Sequence, residues 1–219
     1  LRTSLHFSMM EASNNILSIT GPSPQVGKTF VSANIAVTMA QAGKKVLLID
    51  ADMRKGYMQK FFNLPSDQLG LSTLLQKQSS LEQSVVATEV PGLSFMPRGP
   101  IPEHPSELLL SPLFSQLLQH ASKEYDLVII DTPPILAVAD ALIVSKLAGA
   151  NYMVARFNKN PLGEVQATIK RFETNGVKLN GAVLNATQKR SLAYYGYQKY
   201  GYGNYQYSYY GVDQKKKKR

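Results

Sequence analysis

Short aliphatic runs of strand length alternate with longer amphipathic stretches of helix length over most of this chain. Continuous Val, Ile and Leu runs are typical of parallel strands that are buried on both faces by helices. We therefore predict an α/β fold, with a mostly parallel sheet and helices on both of its faces. Strands are predicted at Ile16–Thr20, Val46–Asp50, Leu93–Pro97, Leu127–Asp131, Tyr152–Arg156 and Ala182–Asn185. Helices are predicted at Thr3–Ala12, Lys28–Ala42, Leu71–Lys77, Ser106–Ser122, Ala139–Leu147 and Gly163–Thr174.

The apolar pattern ends near residue 190. From Ser191 onward Tyr, Gly, Gln, Asn and Lys dominate, and too few aliphatic residues remain to form a core. We predict a folded domain over residues 1–190 and a disordered or weakly docked tail over residues 191–219. Nine of the chain's twelve tyrosines lie in this tail: Tyr194, Tyr195, Tyr197, Tyr200, Tyr202, Tyr205, Tyr207, Tyr209 and Tyr210.

Composition and charge exclude some classes of function. The 219-residue chain has no cysteine, so disulfides, thiolate catalysis and cysteine metal sites are excluded. The net charge is +9, but the run Lys215–Arg219 supplies five of the positive charges, so the body is only mildly basic. No apolar run approaches the ~18 residues that a spanning helix needs. Because the chain opens at Leu1 in the middle of a helical pattern, we interpret it as a fragment.

A candidate phosphate-binding loop, Gly21–Thr29, lies between the first predicted strand and the helix that follows it. Backbone N–H groups at such a helix start cradle phosphate oxygens, with the lysine on the β and γ phosphates and the threonine hydroxyl on Mg²⁺. The loop departs from the usual spacing by one residue, and its two prolines lack N–H donors. The predicted nucleotide-binding residues are Gln25, Val26, Gly27, Lys28 and Thr29. The alternative is a chance Gly-Lys-Thr at a helix start.

Two further strands end in acidic residues. Asp50 ends the second strand and Asp52 follows it, and their spacing of two places both carboxylates on one face. Asp131 ends the strand that begins at Leu127. Ligands of open α/β folds bind at the carboxyl edge of the sheet. We therefore predict that Thr29, Asp50 and Asp131 hold Mg²⁺, directly or through water, and that Asp50 or Asp52 accepts a proton. The alternative is that these acids cap strand ends.

A nucleoside triphosphate site joined to a string of phenols predicts phosphoryl transfer onto tyrosine. A phenol has a pKa near ~10 and needs a base to become a nucleophile at neutral pH. Lys28, Asp50 and Asp52 are the predicted catalytic residues. Two alternatives for the tail are an aromatic low-complexity segment without chemistry, and single-stranded nucleic-acid binding in which tyrosines stack on bases. The latter would use Lys215–Arg219 for phosphates.

These motifs together resemble the cytoplasmic kinase domain of bacterial tyrosine kinases, which are fused to or partnered with membrane proteins of the polysaccharide co-polymerase type. The resemblance rests on the loop with Gly27-Lys28-Thr29, on Leu47–Arg54, on Pro105–Leu109, on Leu127–Pro134 and on the tyrosine cluster. It implies an ATP- and Mg²⁺-dependent kinase that phosphorylates the tail of a neighbouring subunit in a ring.

The resemblance also implies roles for single residues. Asn185 falls where relatives read the adenine, and Asp131 matches their Walker B acid. Tyr57 matches an internal tyrosine that regulates some members, although a helix-packing aromatic is an equal alternative. Arg2 matches the last arginine of a Glu-x-x-Arg-x-x-Arg motif that contacts the neighbouring subunit.

The implied setting is the cytoplasmic side of an inner membrane. The expected partners are further copies of the chain and the membrane-spanning portion of a parent protein or a membrane adaptor, and no nucleic acid. The expected role is regulation of exopolysaccharide or capsule synthesis and export. The alternative function is a partition- or positioning-type ATPase switch of the same fold. Such switches carry a signature lysine at the position of Ser23 and have no tyrosine tail.

Overall fold

The computed structural model describes residues 2–188, without the side chains of residues 2, 4 and 6. The helices are α1 Arg2–Met10, α2 Lys28–Gln41, α3 Leu71–Leu75, α4 Leu81–Ser84, α5 Pro105–Leu110, α6 Pro112–Glu124, α7 Asp140–Leu147 and α8 Leu162–Thr174, with a 3-10 helix at Met58–Phe62. The strands are β1 Ile16–Thr20, β2 Val46–Asp50, β3 Val86–Ala87, β4 Leu93–Met96, β5 Leu127–Asp131, β6 Ala150–Arg156 and β7 Gly181–Asn185. The tail at 191–219 lies outside the described residues, so its boundary and its disorder stay predictions.

The strands of this described part form one sheet in the order β3-β4-β2-β5-β1-β6-β7. Every neighbouring pair is parallel except β3 with β4. Strands β2, β5 and β1 are adjacent, so their carboxyl ends lie side by side at one edge of the sheet. The predicted fold class is therefore confirmed.

Side chains alternate between two cores along each central strand, as the pleat of a strand requires. Leu48 and Ile129 pack with α2 on one face, and Leu47, Ile130 and their neighbours pack with α6 on the other. The aliphatic runs are continuous because both faces are covered. Central strands buried on both sides give a rigid edge for the loops that follow them.

The predicted helix Ser106–Ser122 is wrong in one respect, because the structure divides it into α5 and α6. Pro112 causes the break. The residue before a proline is disfavoured in helical geometry, and Ser111 is extended with φ −65° and ψ 147°. Pro112 then occupies the start of α6, where its missing N–H has no helical partner to lose.

The sequence pattern also missed short elements and misplaced some ends. The unpredicted elements are β3, α4 and the 3-10 helix, all of which are too short to show a period. Strand β6 begins two residues earlier than predicted, at Ala150, and β4 ends at Met96. None of the described helices combines the length and the hydropathy that a bilayer crossing requires.

Candidate active site

The phosphate loop and the three acids meet at the carboxyl edge of the sheet. Asp50 at the end of β2 lies in register with Asp131 at the end of β5, and Asp131 lies in register with Ile19 of β1. The loop that leaves β1 begins two residues later and leads into α2. Residues separated by more than a hundred positions in sequence are therefore neighbours, as the motif analysis predicted.

The loop has the backbone shape of an anion cradle at a helix start. Gly27 has φ 97°, in the left-handed region, and Lys28 opens α2. The first N–H groups of a helix have no intrahelical partner, so they are free to donate to an anion. A Cβ at Gly27 would lie 2.1 Å from Asn185 Nδ2, so only glycine fits there. Lys28 and Thr29 are both buried in the loop. The residues present fit a nucleotide phosphate.

One loop residue adopts left-handed geometry without being glycine. Gln25 has φ 60°, which costs a side-chain-bearing residue free energy unless its surroundings hold it. Arg156 Nη1 donates to Gln25 O at 3.2 Å, and Lys159 Nζ donates to Gln25 Oε1 at 3.0 Å. Asn185 Nδ2 donates to the carbonyl of Val26 at 3.0 Å. These contacts fix a loop that has few glycines.

The tip of the loop is tied to helix α8. Ser23 Oγ donates to Glu164 Oε2 at 3.0 Å, and Asn160 Nδ2 donates to Ser23 Oγ at 2.8 Å. Asn160 also donates to Glu164 at 2.8 Å. The position at which switch ATPases carry a signature lysine is thus filled by a serine engaged in a hydrogen-bonded triangle.

Two of the three residues predicted to hold Mg²⁺, Thr29 and Asp131, are in direct contact, and the third, Asp50, lies in register with Asp131 on the neighbouring strand. Thr29 Oγ1 donates to Asp131 Oδ2 at 2.7 Å, and Ser32 Oγ donates to Asp131 Oδ1 at 3.0 Å. A hydroxyl beside a carboxylate is a donor set that suits Mg²⁺. Within residues 2–188, no group of three or more His, Cys, Asp or Glu residues is arranged to hold a metal ion. A bound Mg²⁺ would therefore draw further ligands from phosphate oxygens and water.

Ser32 was missed by the sequence analysis. It lies three positions after Thr29 on α2, so the two side chains share one face of that helix. The spacing was a usable signal, although serine in a helix is common and the signal is weak.

Asp50 is fully buried and faces the loop that follows β2. Its carboxylate accepts hydrogen bonds from the N–H of Asp52 at 3.1 Å and of Met58 at 3.3 Å. A Cβ on Gly56 would lie 2.6 Å from both carboxylate oxygens. Burial raises the pKa of Asp50 well above its usual value, and the charges of Asp131 and Asp52 raise it further. These contacts suit a residue that organises the loop.

Asp52 is more accessible to an incoming group. Its side chain is part-exposed, and Oδ1 accepts hydrogen bonds from the N–H of Arg54 at 3.3 Å and of Lys55 at 2.9 Å. Both bonds go to the same oxygen, so Oδ2 is left for another partner. Of the two aspartates predicted as proton acceptors, Asp52 has the more suitable position.

Burial raises the pKa of Asp131 to about 6, and the charge of Asp52 also raises it. Lys28 and the hydroxyls of Thr29 and Ser32 act in the opposite direction. Raised pKa values at Asp50 and Asp131 mean that the site holds more negative charge than its buried surroundings stabilise. A divalent cation would relieve this repulsion.

The remaining predicted site residues are only partly described. Tyr57 is 47% exposed, and its ring meets Phe61 edge-on at a centroid distance of 5.8 Å. This placement leaves the hydroxyl role and the packing role both open. The backbone of Arg2 lies in α1, but its side chain lies outside the described part, as do the nine tail tyrosines.

Comparison with known proteins gives consistent matches. An AAA domain family model matches residues 15–176. The "Tyrosine-protein kinase ptk" of Acinetobacter johnsonii is 52% identical over 194 residues, which cover 89% of this chain and 26% of that protein. The chain therefore spans about a quarter of the length of that curated relative.

Solved structures agree with this match. The kinase domain of Escherichia coli tyrosine kinase ETK superimposes with a TM-score of 0.83 and 45% identity, covering 92% of this chain and 77% of that one. The septum site-determining protein MinD of Pyrococcus horikoshii, solved with Mg-ADP, has a TM-score of 0.66 and 20% identity over 78% of this chain and 69% of that one. The MinD likeness shows the fold alone. With its phosphate loop and paired acids at one sheet edge, this chain belongs to the family of bacterial tyrosine-kinase domains.

Proposed function

We propose that the protein transfers the γ-phosphoryl group of ATP to tyrosines of its own C-terminal cluster. The observation that carries the proposal is the meeting of three groups at one edge: the phosphate loop, the buried Thr29–Asp131 pair and the part-exposed Asp52. The first two suit a nucleotide with Mg²⁺, and the third is a base that a phenol can reach.

In the proposed reaction, a bond forms between the tyrosine oxygen and the γ-phosphorus, and the bond from that phosphorus to the β–γ bridging oxygen breaks. ADP leaves, and the phenol proton passes to the carboxylate of Asp52. Lys28 and the N–H groups from Gln25 to Thr29 would bind the phosphates, and Thr29 and Asp131 would hold Mg²⁺, which would supply positive charge to the phosphates. Asp50 orders the loop that carries Asp52.

Incubation of the full chain with Mg·ATP, followed by phosphopeptide mass spectrometry, tests the proposal. Phosphate should accumulate on tyrosines between positions 194 and 210. The Lys28→Met variant should lose this signal, because the amine that binds the phosphates is gone. Lys146→Met is the matched control, since Lys146 is exposed on α7, and it should retain the signal. Equal labelling in Lys28→Met would refute the proposal.

We also propose that transfer occurs between subunits. The test mixes a chain that lacks residues 191–219 with full-length Lys28→Met. Phosphotyrosine on the inactive partner supports transfer between chains. Labelling that occurs only when tail and active site share one chain argues for transfer within a subunit.

The wider setting is part of the same proposal. We place the domain on the cytoplasmic side of an inner membrane, joined to or assembled with a membrane-spanning partner, in a ring of copies contacted through Arg2. Regulation of exopolysaccharide or capsule synthesis and export is the proposed role. The resemblance of the motifs and the greater length of the matched relative support this setting. Co-purification with the membrane portion of the parent protein tests it.

The ATPase switch is a less suitable function for this site. Its support is the MinD-like fold. Against it stands Ser23, whose hydroxyl bonds with Glu164 and Asn160 where a switch would place its lysine. ATP hydrolysis without phosphotyrosine, unchanged after removal of residues 191–219, would favour the switch. Salt-dependent oligonucleotide binding that survives Lys28→Met would instead favour a nucleic-acid role.

A further inference from the structure

Arg54 lies two residues after Asp52, and its guanidinium group binds a buried carboxylate. Arg54 Nε donates to Asp140 Oδ2 at 2.8 Å, and Arg54 Nη2 donates to Asp140 Oδ1 at 3.2 Å. Ser106 completes the cluster, because its Oγ accepts from Arg54 Nη2 at 2.9 Å and donates to Asp140 Oδ1 at 2.6 Å. We call these three residues the arginine clamp.

The clamp joins three separate elements. Arg54 belongs to the loop after β2, Ser106 to the first turn of α5, and Asp140 opens α7. Ser106 also belongs to the Pro-Ser-Glu-Leu-Leu motif, for which the proposed reaction has no use. The motif therefore has a structural partner in the loop that carries the catalytic acid.

Burial keeps Arg54 in place. The Asp140 side chain is 0% exposed and the Arg54 side chain is 38% exposed. A fork of two charge-assisted bonds fixes the guanidinium plane. Release of Arg54 toward a phosphate would leave a buried carboxylate without its charge partner, which is strongly unfavourable. Arg54 is thus not available as a phosphate-binding group.

The backbone of Arg54 acts on Asp52. The N–H groups of Arg54 and Lys55 both donate to Asp52 Oδ1, and these bonds set the direction in which Oδ2 points. Residues 51–57 have no helix or strand of their own to fix these N–H groups. The far end of the loop is held separately, since Arg98 Nε donates to Gly56 O at 2.8 Å. Near Asp52, two side chains link the loop to the rigid helices: Met53 is buried in the core with α5 and α6, and Arg54 forms the polar link to Ser106 and Asp140.

We propose that Arg54, Ser106 and Asp140 are positioning residues that hold the Asp52 carboxylate in the direction from which it accepts the phenol proton. The proposal rests on the proposed kinase function. It predicts that the clamp affects the chemical step and leaves nucleotide binding unchanged, because its contacts end at Asp52 and do not reach residues 21–29.

Arg54→Met tests the clamp in two backgrounds, with Asp52 present and with Asp52→Asn. In the first background, kcat for tail phosphorylation should fall about 100-fold, as expected for a misplaced catalytic group. The KM for ATP should change less than about 2-fold, because uniform binding is untouched. In the Asp52→Asn background the same substitution should have almost no effect, since no carboxylate remains to be positioned. Arg54→Lys should restore part of kcat.

Ser106→Ala is the milder variant, and it tests the clamp proposal if Arg54→Met does not fold. It removes one bridging hydroxyl and should lower kcat about 5-fold, the effect of one hydrogen bond, again only when Asp52 is present. Ser111→Ala is the matched control. Ser111 ends the same helix and bonds only locally, from its Oγ to Leu108 O at 2.7 Å, so its kcat should equal that of the wild type.

Two results would overturn the clamp proposal while wild-type activity is intact. One is an equal loss of kcat in both Asp52 backgrounds, which indicates a general structural role. The other is a loss that falls mainly on the KM for ATP. Absence of tail phosphorylation in the wild type would instead overturn the kinase function itself.

Discussion

The phosphate loop, residues 21–29, and the acid loop, residues 51–57, are each held in a fixed conformation, but by different kinds of contact. Each leaves the carboxyl end of a central strand, and each is held in part by residues far away in sequence. The phosphate loop is held from outside by Arg156, Lys159 and Asn185, through bonds to its backbone and to Gln25. The acid loop is held from inside by Asp50 and Asp140, both fully buried.

The difference is the one expected from the chemistry that we propose for each loop. The phosphate loop works with backbone N–H groups, so its shape matters and its anchors can be exposed and individually weak. The acid loop would work with carboxylates, so the placement of these groups matters, and its anchors are buried carboxyl groups for which the loss of a bonding partner is strongly unfavourable. We therefore expect the phosphate loop to be sensitive to backbone changes and tolerant of anchor loss. The acid loop should instead tolerate backbone changes and be sensitive to the loss of its anchors.

The largest effect is expected from Gly27→Ala. The substitution places a Cβ in the left-handed region and 2.1 Å from the Asn185 amide nitrogen, so the Asn185 side chain or the loop must move. Backbone strain of about 1–3 kcal/mol and the displaced Asn185 should weaken ATP binding roughly 100-fold. Isothermal titration calorimetry with Mg·ATP measures the change.

Gly43→Ala is the control for Gly27→Ala. Gly43 has φ 84° and nothing lies within 4 Å of an added Cβ, so it carries the same kind of strain without a clash. It should lower thermal stability while leaving ATP affinity unchanged. Equal losses of affinity in both variants would mean that strain alone, and not the cradle at Gly27, explains the result.

The second effect concerns stability and pH. The pKa of Asp131 is about 6 in the folded protein and near 3.9 when unfolded, so the folded state binds more protons between these values. Stability of the nucleotide-free protein should therefore fall as pH rises from about 4 to about 6, by roughly 3 kcal/mol from this residue. Urea unfolding of wild type and Asp131→Asn across this range measures it.

Asp131→Asn should flatten that pH dependence, because asparagine does not titrate. Saturating Mg·ATP should do the same in the wild type, since a cation near Asp131 lowers its pKa. A slope that is identical in wild type and Asp131→Asn would show that other groups cause it. The Thr29 and Ser32 hydroxyls would then be sufficient to keep Asp131 ionised at pH 5.

A smaller effect is expected from Arg156→Met. The lost bond from Nη1 to Gln25 O at 3.2 Å is a single, exposed contact. ATP affinity should fall about 5-fold, the value of one hydrogen bond that shapes the loop. Arg171→Met, in the last turn of α8, removes the same charge and a bond to Leu136 O without touching the loop, and it should leave affinity unchanged. A loss that matches in both variants would assign the effect to net charge.

The smallest effect is expected from Lys159→Met. Its bond to the Gln25 side chain is exposed and flexible at both ends, so ATP affinity should change less than about 2-fold. Gln25→Gly should leave ATP affinity nearly unchanged, because it relieves the backbone strain at φ 60° and removes only the weak bond to Lys159. Losses above 10-fold in either variant would show that the outer anchors carry more of the loop's shape than the comparison assigns to them.

Much of the site could be predicted from local sequence because the ends of the strands have a recognisable pattern. An aliphatic run closed by an acid marks both a buried strand and the edge at which it stops, so Asp50, Asp52 and Asp131 were located without a structure. Gly27, Lys28 and Thr29 were readable because the strand before them and the helix after them supply the required context. The pattern failed where elements were shorter than one period, as in β3 and α4.

The sequence did not predict that Asp50 and Asp52 have different roles. Either was predicted as the proton acceptor, and their spacing does not distinguish one from the other. Packing distinguishes them. Asp50 is buried and accepts hydrogen bonds from the N–H groups of Asp52 and Met58, whereas the Asp52 side chain is part-exposed. The partners of Arg54 were equally impossible to predict, because Asp140 lies 86 positions away, at the start of α7.

The sequence by itself determined the alternation of strands and helices, the phosphate loop, the acids at strand ends and the tyrosine-rich tail, since each depends on neighbouring residues or a short period. The tertiary structure alone decided which acid faces outward, how a loop with two prolines keeps its shape, and why Arg54 points to Asp140. These features depend on contacts between segments far apart in the chain. Burial and the strength of a charge are set by all the elements that surround a side chain, and no single stretch of sequence contains them.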